Sequence, residues 1–152
     1  MPESPEHVSG NLLAFDVGTR LIGVAIGNGL TTTARALEAI ASGDWKRLDA
    51  LVAEWQPERF VVGLPLALDG GEQPMSRIAR EFARALARRH ARPVDLVDER
   101  HTSREAARRF ADRRASGIAR RKQAADIDAL AAEIILEHWF AQPASRLPHE
   151  PA

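Results

Sequence analysis

Two apolar runs, Leu12-Leu13-Ala14-Phe15 and Leu21-Ile22-Gly23-Val24-Ala25-Ile26, lie either side of Asp16-Val17-Gly18-Thr19-Arg20. Each run has the length and content of a strand buried on both faces. Gly18-Thr19 supplies a tight turn between them, so the segment is expected to fold as a hairpin inside a sheet. Asp16 then stands at the end of the first strand. A carboxylate there is costly to bury unless something pairs with it, and its place on a rigid element suits a metal ligand or a phosphate-facing group.

The rest of the chain builds outward from this hairpin. Thr31 to Leu37 reads as a third, edge strand rich in β-branched residues. Asp44 can cap a helix in which Trp45, Leu48, Leu51, Val52 and Trp55 share one face, with Pro57 ending it. Arg59 to Leu64 reads as a buried strand, followed by a loop from Leu66 to Gly71. Pro74 opens a second helix with Ile78, Phe82, Ala85 and Leu86 inward and Arg77, Arg80, Arg84 and Arg88 outward. A strand over Val94–Glu99 follows, then a capping box at Thr102-Ser103-Arg104-Glu105 opening a third helix that ends near Arg114. Residues 115–122 read as a mobile basic loop, and Ile127–Phe140 as the last helix. The order β-β-β-α-β-α-β-α-α implies an α/β fold: a five-stranded mixed sheet, begun by an antiparallel meander, with helices on both faces. One domain over residues 11–141 is expected, between a flexible segment 1–10 and a disordered tail 142–152.

Composition narrows the function classes. The 152 residues include no cysteine, which excludes disulfides and thiolate metal sites. No apolar stretch approaches the ~18 residues of a membrane span, and residues 1–10 lack the pattern of a signal peptide, so a cytoplasmic protein with no membrane partner is expected. Net charge is zero, but residues 77–122 carry 15 basic against 6 acidic side chains. That segment could present a basic face to a phosphate backbone, or simply two solvated arginine-rich helices.

Three carboxylates stand at element ends. Asp16 ends the first strand, Glu99 the last, and Asp128 falls in the first turn of the final helix. The C-terminal ends of parallel strands form a ligand-binding rim. Small residues Ala131 and Ala132 would let the helix bring Asp128 beside Asp16. Converging carboxylates repel unless protonated or neutralised by cations, and oxygen-only ligation suits Mg²⁺ or Mn²⁺. Two such ions ~3.5–4 Å apart can activate water and stabilise a leaving 3′ oxygen. Each acid alone also has a plain reading: Glu99 pairing with Arg100 or Arg104, Asp128 favouring a helix N-terminus.

Four blocks carry a family resemblance: Leu13 to Arg20 with Ile22-Gly23-Val24-Ala25; Val61-Val62-Gly63-Leu64-Pro65-Leu66 with Asp69-Gly70; Asp98-Glu99-Arg100; and Asp128 to Ala132 with Ile134-Ile135-Leu136. With these blocks in order, the chain resembles the YqgF/RuvX family of ribonuclease H-like, Holliday-junction resolvase-like proteins associated with 5′-end processing of pre-16S ribosomal RNA. The resemblance implies that Asp16, Glu99 and Asp128 are the catalytic, metal-binding acids, with Asp16 bridging two Mg²⁺ or Mn²⁺ ions. It implies that Thr19, Arg20 and Arg100 position phosphate and that Asp69-Gly70 shapes a substrate loop.

Departures from the family pattern are His101 in an apolar place, Ala67 where Asn is common, and Asp126 two residues before Asp128 with no adjacent lysine. His101 reads as a capping-region residue or as a contact to the scissile phosphate, and Asp126 competes with Asp128 as ligand. The function these features imply is a metal-dependent nuclease acting on structured RNA, a pre-rRNA above all, with the ribosome as a partner. The alternatives are a resolvase cutting branched DNA, which would call for a dimer, and a non-catalytic RNA-binding assembly factor.

Overall fold

A computed structural model of the chain describes residues 8–100, 106, 108, 109, 111, 112 and 123–148. The expected hairpin forms the centre of the sheet. Strand β1 (Asn11–Val17) pairs antiparallel with β2 (Leu21–Asn28), which pairs with β3 (Thr33–Ala41). Helix α1 (Trp45–Trp55) leads to β4 (Arg59–Leu64), which lies parallel to β1. Helix α2 (Pro74–His90) leads to β5 (Val94–Asp98), parallel to β4. Helix α3 (Gln123–Ala141) and a short 3-10 turn precede β6 (Arg146–Pro148), giving the order β3-β2-β1-β4-β5-β6.

The strand faces sort by alternation. Leu13, Phe15, Val17, Phe60, Val62 and Leu64 point toward α1 and α2 and build the larger core. Phe15 meets Phe82 edge-on at 5.3 Å, and Phe82 stacks on Trp45 at 5.5 Å, joining strand to both helices. Leu12, Ala14, Ala25, Val61 and Val97 point the other way, under Ala132, Ile135, Leu136 and Trp139 of α3. Asp16 lies on this second face, two residues beyond Ala14.

Local chemistry explains the helix starts. The Asp44 carboxylate accepts the Arg47 N–H and caps α1. Pro74 occupies the first turn of α2, where its missing N–H costs nothing. The buried Ser76 hydroxyl donates to the Pro65 carbonyl and accepts the Gln73 N–H, fixing the start of α2 against the loop after β4.

Several expectations are corrected. Among the described residues the sheet has six strands, not five, because Arg146–Pro148 pairs with β5 instead of lying in a disordered tail. Leu147 packs on the larger core, and the Arg146 guanidinium sits 3.7 Å over the Trp139 ring. At the other end Val8 is buried and the Gly10 carbonyl accepts the Gly29 N–H, so residues 8–10 belong to the fold. Strand β3 starts two residues late and runs on to Ala41, since the Asn28 side chain accepts the Leu30 and Thr31 N–H groups and draws Thr31 into a turn. The capping box and basic loop fall outside the described residues. Among the described residues no helix is long and apolar enough to cross a membrane.

Candidate active site

A glycine of the sheet joins the small residues of the helix in setting how closely α3 approaches: Ala131 and Ala132 are buried, and Gly23 lies under the helix backbone. Asp16 pairs with Gly23 across the hairpin. A Cβ on Gly23 would lie 1.8 Å from the Asp128 carbonyl oxygen, so the α3 backbone rests directly on β2 at that point. This contact carries Asp128 to the Asp16 end of the sheet. Gly18, Thr19, Arg20, Leu21 and Asp128 line an open cleft of about 490 Å³ there, with Thr19 and Arg20 exposed. Helix α3 begins at Gln123, five residues before Asp128, so Asp128 is not in its first turn as the sequence suggested. Stabilisation by the helix N-terminus fades within the first turn and does not account for an acid placed there. Asp126 lies on the same helix, and its side chain is outside the described residues.

Electrostatics tie the three acids together. Burial pushes the Asp16 carboxyl up to about 7, and the charges of Asp128 and Glu99 push it the same way. Burial also raises Asp128. An acid that resists ionisation through desolvation and, secondarily, its neighbours' charge sits where a cation would be welcome. The donor set, oxygen only at Asp16 and Asp128, fits a hard divalent ion.

Glu99 is placed differently. Its N–H continues the β4–β5 ladder by donating to the Leu64 carbonyl at 2.9 Å, and its side chain is buried. Its carboxylate meets His138 of α3, with Nδ1 2.8 and 3.0 Å from the two oxygens. Pairing with Arg100 does not occur: Arg100 binds Asp98 through two nitrogens and donates to the Leu68 carbonyl, clipping the loop after β4 to the end of β5. Among the described residues, no three His, Asp or Glu side chains stand close enough to hold one metal ion. Asp16 and Asp128 are thus brought to the same end of the sheet, with Asp128 lining the cleft, while Glu99 lies within electrostatic reach but against His138.

The remaining sequence candidates divide. Asp69 is exposed and accepts the Gly71 N–H, shaping a turn in which Gly70 takes φ +89°. His101 and Arg104 lie outside the described residues. His138 was not singled out from sequence; the available signal was its place four residues after Ile134 and seven after Ala131, on the stripe of α3 buried beside Ala106.

Comparison with known proteins matches this frame. Residues 10–142 match the family model described as RuvX, Holliday junction resolvase. A protein of Xanthomonas oryzae pv. oryzae (strain PXO99A) named "Putative pre-16S rRNA nuclease" is 50% identical over 148 residues, covering 94% of this chain and 96% of its own. A protein of the same name from Xylella fastidiosa (strain 9a5c) is 48% identical over 155 residues, covering 97% and 100%. Among solved structures, Thermus thermophilus RuvC in complex with a Holliday junction substrate superposes with a TM-score of 0.53 at 16% identity, covering 91% of this chain and 99% of its own. At that identity the likeness speaks for the fold alone: a ribonuclease H-like mixed sheet with flanking helices.

Proposed function

Because this chain belongs to the RuvX family, we propose that it is a divalent-metal-dependent nuclease of the cytoplasm that trims the 5′ end of a 16S ribosomal RNA precursor. The observation that carries this reading is the placement of Asp16 at the head of the hairpin, with Asp128 brought to the same end of the sheet where α3 rests on Gly23; there desolvation and the charges of Asp128 and Glu99 push the Asp16 carboxyl up to about 7. Asp16 and Asp128 would hold the first Mg²⁺ or Mn²⁺, and Glu99 would complete the set for a two-ion site. When bound, such ions lower the pKa of a water and neutralise charge on the phosphodiester and its leaving oxygen.

The chain's own groups do the rest. Thr19 and Arg20 line the cleft beside Asp128, where a hydroxyl and a guanidinium can hold the phosphate flanking the scissile bond. Asp16 and Asp128, placed on a central strand and on a helix seated on that strand's neighbour, offer a rigid pair of oxygens. Arg100 fixes the loop that bears exposed Leu68, a wall of the same rim. Arg77, Arg84 and Arg88 follow one another along α2 and give RNA a basic track leading from the rim.

Junction cleavage is the second reading, favoured by the description of the family model. One assay separates the two: the protein is incubated with pre-16S rRNA and with four-way junction DNA, with Mn²⁺ or EDTA, beside Asp16→Asn. Metal-dependent cutting of the RNA that Asp16→Asn abolishes supports the proposal. Cutting of junction DNA alone favours the second reading, and cleavage by Asp16→Asn at the wild-type rate refutes the assignment of Asp16.

A further inference from the structure

We infer that His138 holds Glu99 apart from Asp16 and Asp128, so that the third carboxylate joins the site only when a cation draws it off the imidazole. This rests on the metal-dependent reading above. Both Glu99 oxygens face one nitrogen, Nδ1 of His138, at 2.8 and 3.0 Å. The Glu99 side chain is 4% exposed and His138 27%, so the contact is sheltered from competing water. His138 follows Asp128 by ten residues on one helix, which places the two about 15 Å apart along its axis. A side chain leaning back toward the helix N-terminus recovers only part of that distance. A carboxylate resting on His138 is therefore not beside Asp128, and no three such side chains among the described residues gather around one point.

The alternative position is nonetheless within reach. Glu99 contributes to the charge felt by Asp16. Its backbone is anchored to Leu64, so transfer proceeds by rotation about side-chain bonds with the strand end in place. Gly63 of β4 puts no side chain of its own between Glu99 and the hairpin: a Cβ there would stand 3.5 Å from Glu99 Cγ, and the nearest group over it is the end of the Ile135 side chain, at 2.4 Å. His138 in this role is a positioning residue. It satisfies a buried carboxylate while the cation is absent and weakens metal binding by the strength of the contact that must be broken.

Calorimetric Mn²⁺ binding to the full chain tests this, comparing wild type with His138→Ala, His138→Phe and His138→Gln. Removing the donor is expected to tighten Mn²⁺ binding about tenfold in the Ala and Phe variants, the range of a hydrogen bond to a charged group. Gln, which keeps an N–H donor, should stay near wild type. In parallel, Mg²⁺ should shift the His138 imidazole NMR signals of the wild type but not of Asp16→Asn. The Phe variant and the NMR titration carry the test where His138→Ala does not fold. Unchanged or weaker Mn²⁺ binding in the Ala and Phe variants overturns the inference and makes His138 a support for a Glu99 already in place. RNA cleavage by all variants with one Mn²⁺ affinity overturns the inference alone. Binding that responds to His138 in a protein that cuts no nucleic acid upholds it while the nuclease reading falls. Absence of Mn²⁺ binding throughout ends both.

Discussion

Gly23→Ala tests whether the seat of α3 on β2 positions the site. The added Cβ would meet the Asp128 carbonyl oxygen at 1.8 Å, its carbon at 2.2 Å and the Ala129 nitrogen at 2.9 Å, all backbone atoms that no rotamer change can clear. Restoring even a tight contact of about 3.0 Å requires the helix to lift by roughly 1.2 Å at Asp128, and overpacking of this kind costs ~2–3 kcal/mol. For a chain of this size that corresponds to a fall in melting temperature of roughly 5–10 °C. The same lift carries Asp128 away from Asp16, and a displacement near 1 Å costs about 100-fold in rate. Gly63→Ala is the comparison: its Cβ meets Ile135 Cδ1 at 2.4 Å, the end of a side chain that can turn aside. Differential scanning calorimetry and single-turnover cleavage of pre-rRNA should rank Gly23→Ala well below Gly63→Ala in both stability and rate. Wild-type melting and cleavage by Gly23→Ala, or the reverse ranking, would refute the reasoning.

Further outcomes follow from other parts of the molecule. The Asp16 carboxyl titrates near 7 in the folded chain against an ordinary value of 3.8, so the folded state holds a proton that the unfolded state has lost. Metal-free stability should therefore fall as pH rises from about 4 to above 7; Asp16→Asn should flatten that part of the profile and divalent ions should restore stability at pH 8, as read by thermal melting. Replacing Arg77, Arg84 and Arg88 with Ala, leaving the Arg80–Glu72 pair intact, should weaken RNA binding for all sequences. It should also reduce the log–log salt slope by about 2 in fluorescence anisotropy, from ~0.7 per phosphate contact. Removing residues 143–152 strips Leu147 from the core and the Arg146 guanidinium from Trp139. It should cost about 2 kcal/mol in urea unfolding.

Much of the frame is legible in the residues because local and global preferences agree. The apolar runs flanking Gly18-Thr19, the Asp44 cap and Pro74 at the head of α2 each act through chemistry confined to a few neighbours. Where the outcome depends on a distant partner the sequence is silent. Arg146–Pro148 is three residues long and becomes a strand because β5 offers an open edge. Thr31 has the β-branching of a strand residue, but the Asn28 carboxamide claims its N–H. The acids show the same division. Asp16 declares itself as a charge within an apolar run. Glu99 carries no local sign that an imidazole 39 positions later will take its carboxylate, nor Asp98 that it, and not Glu99, will bind Arg100.

The seating of α3 has a bearing on synthesis. Strands β1, β2, β4 and β5 all precede α3 in the chain, and their second face, with Leu12, Ala14, Ala25, Val61 and Val97, is closed by that helix. A nascent chain translated as far as β5 can assemble the layer with α1 and α2 while this face stays bare. It then exposes a sticky apolar surface that a chaperone can hold. Asp128 arrives with the same helix that covers it. Completion of the core and delivery of a second acid to the Asp16 end of the sheet are thus one event, and an emerging chain lacks that acid until it can also bury its own apolar face.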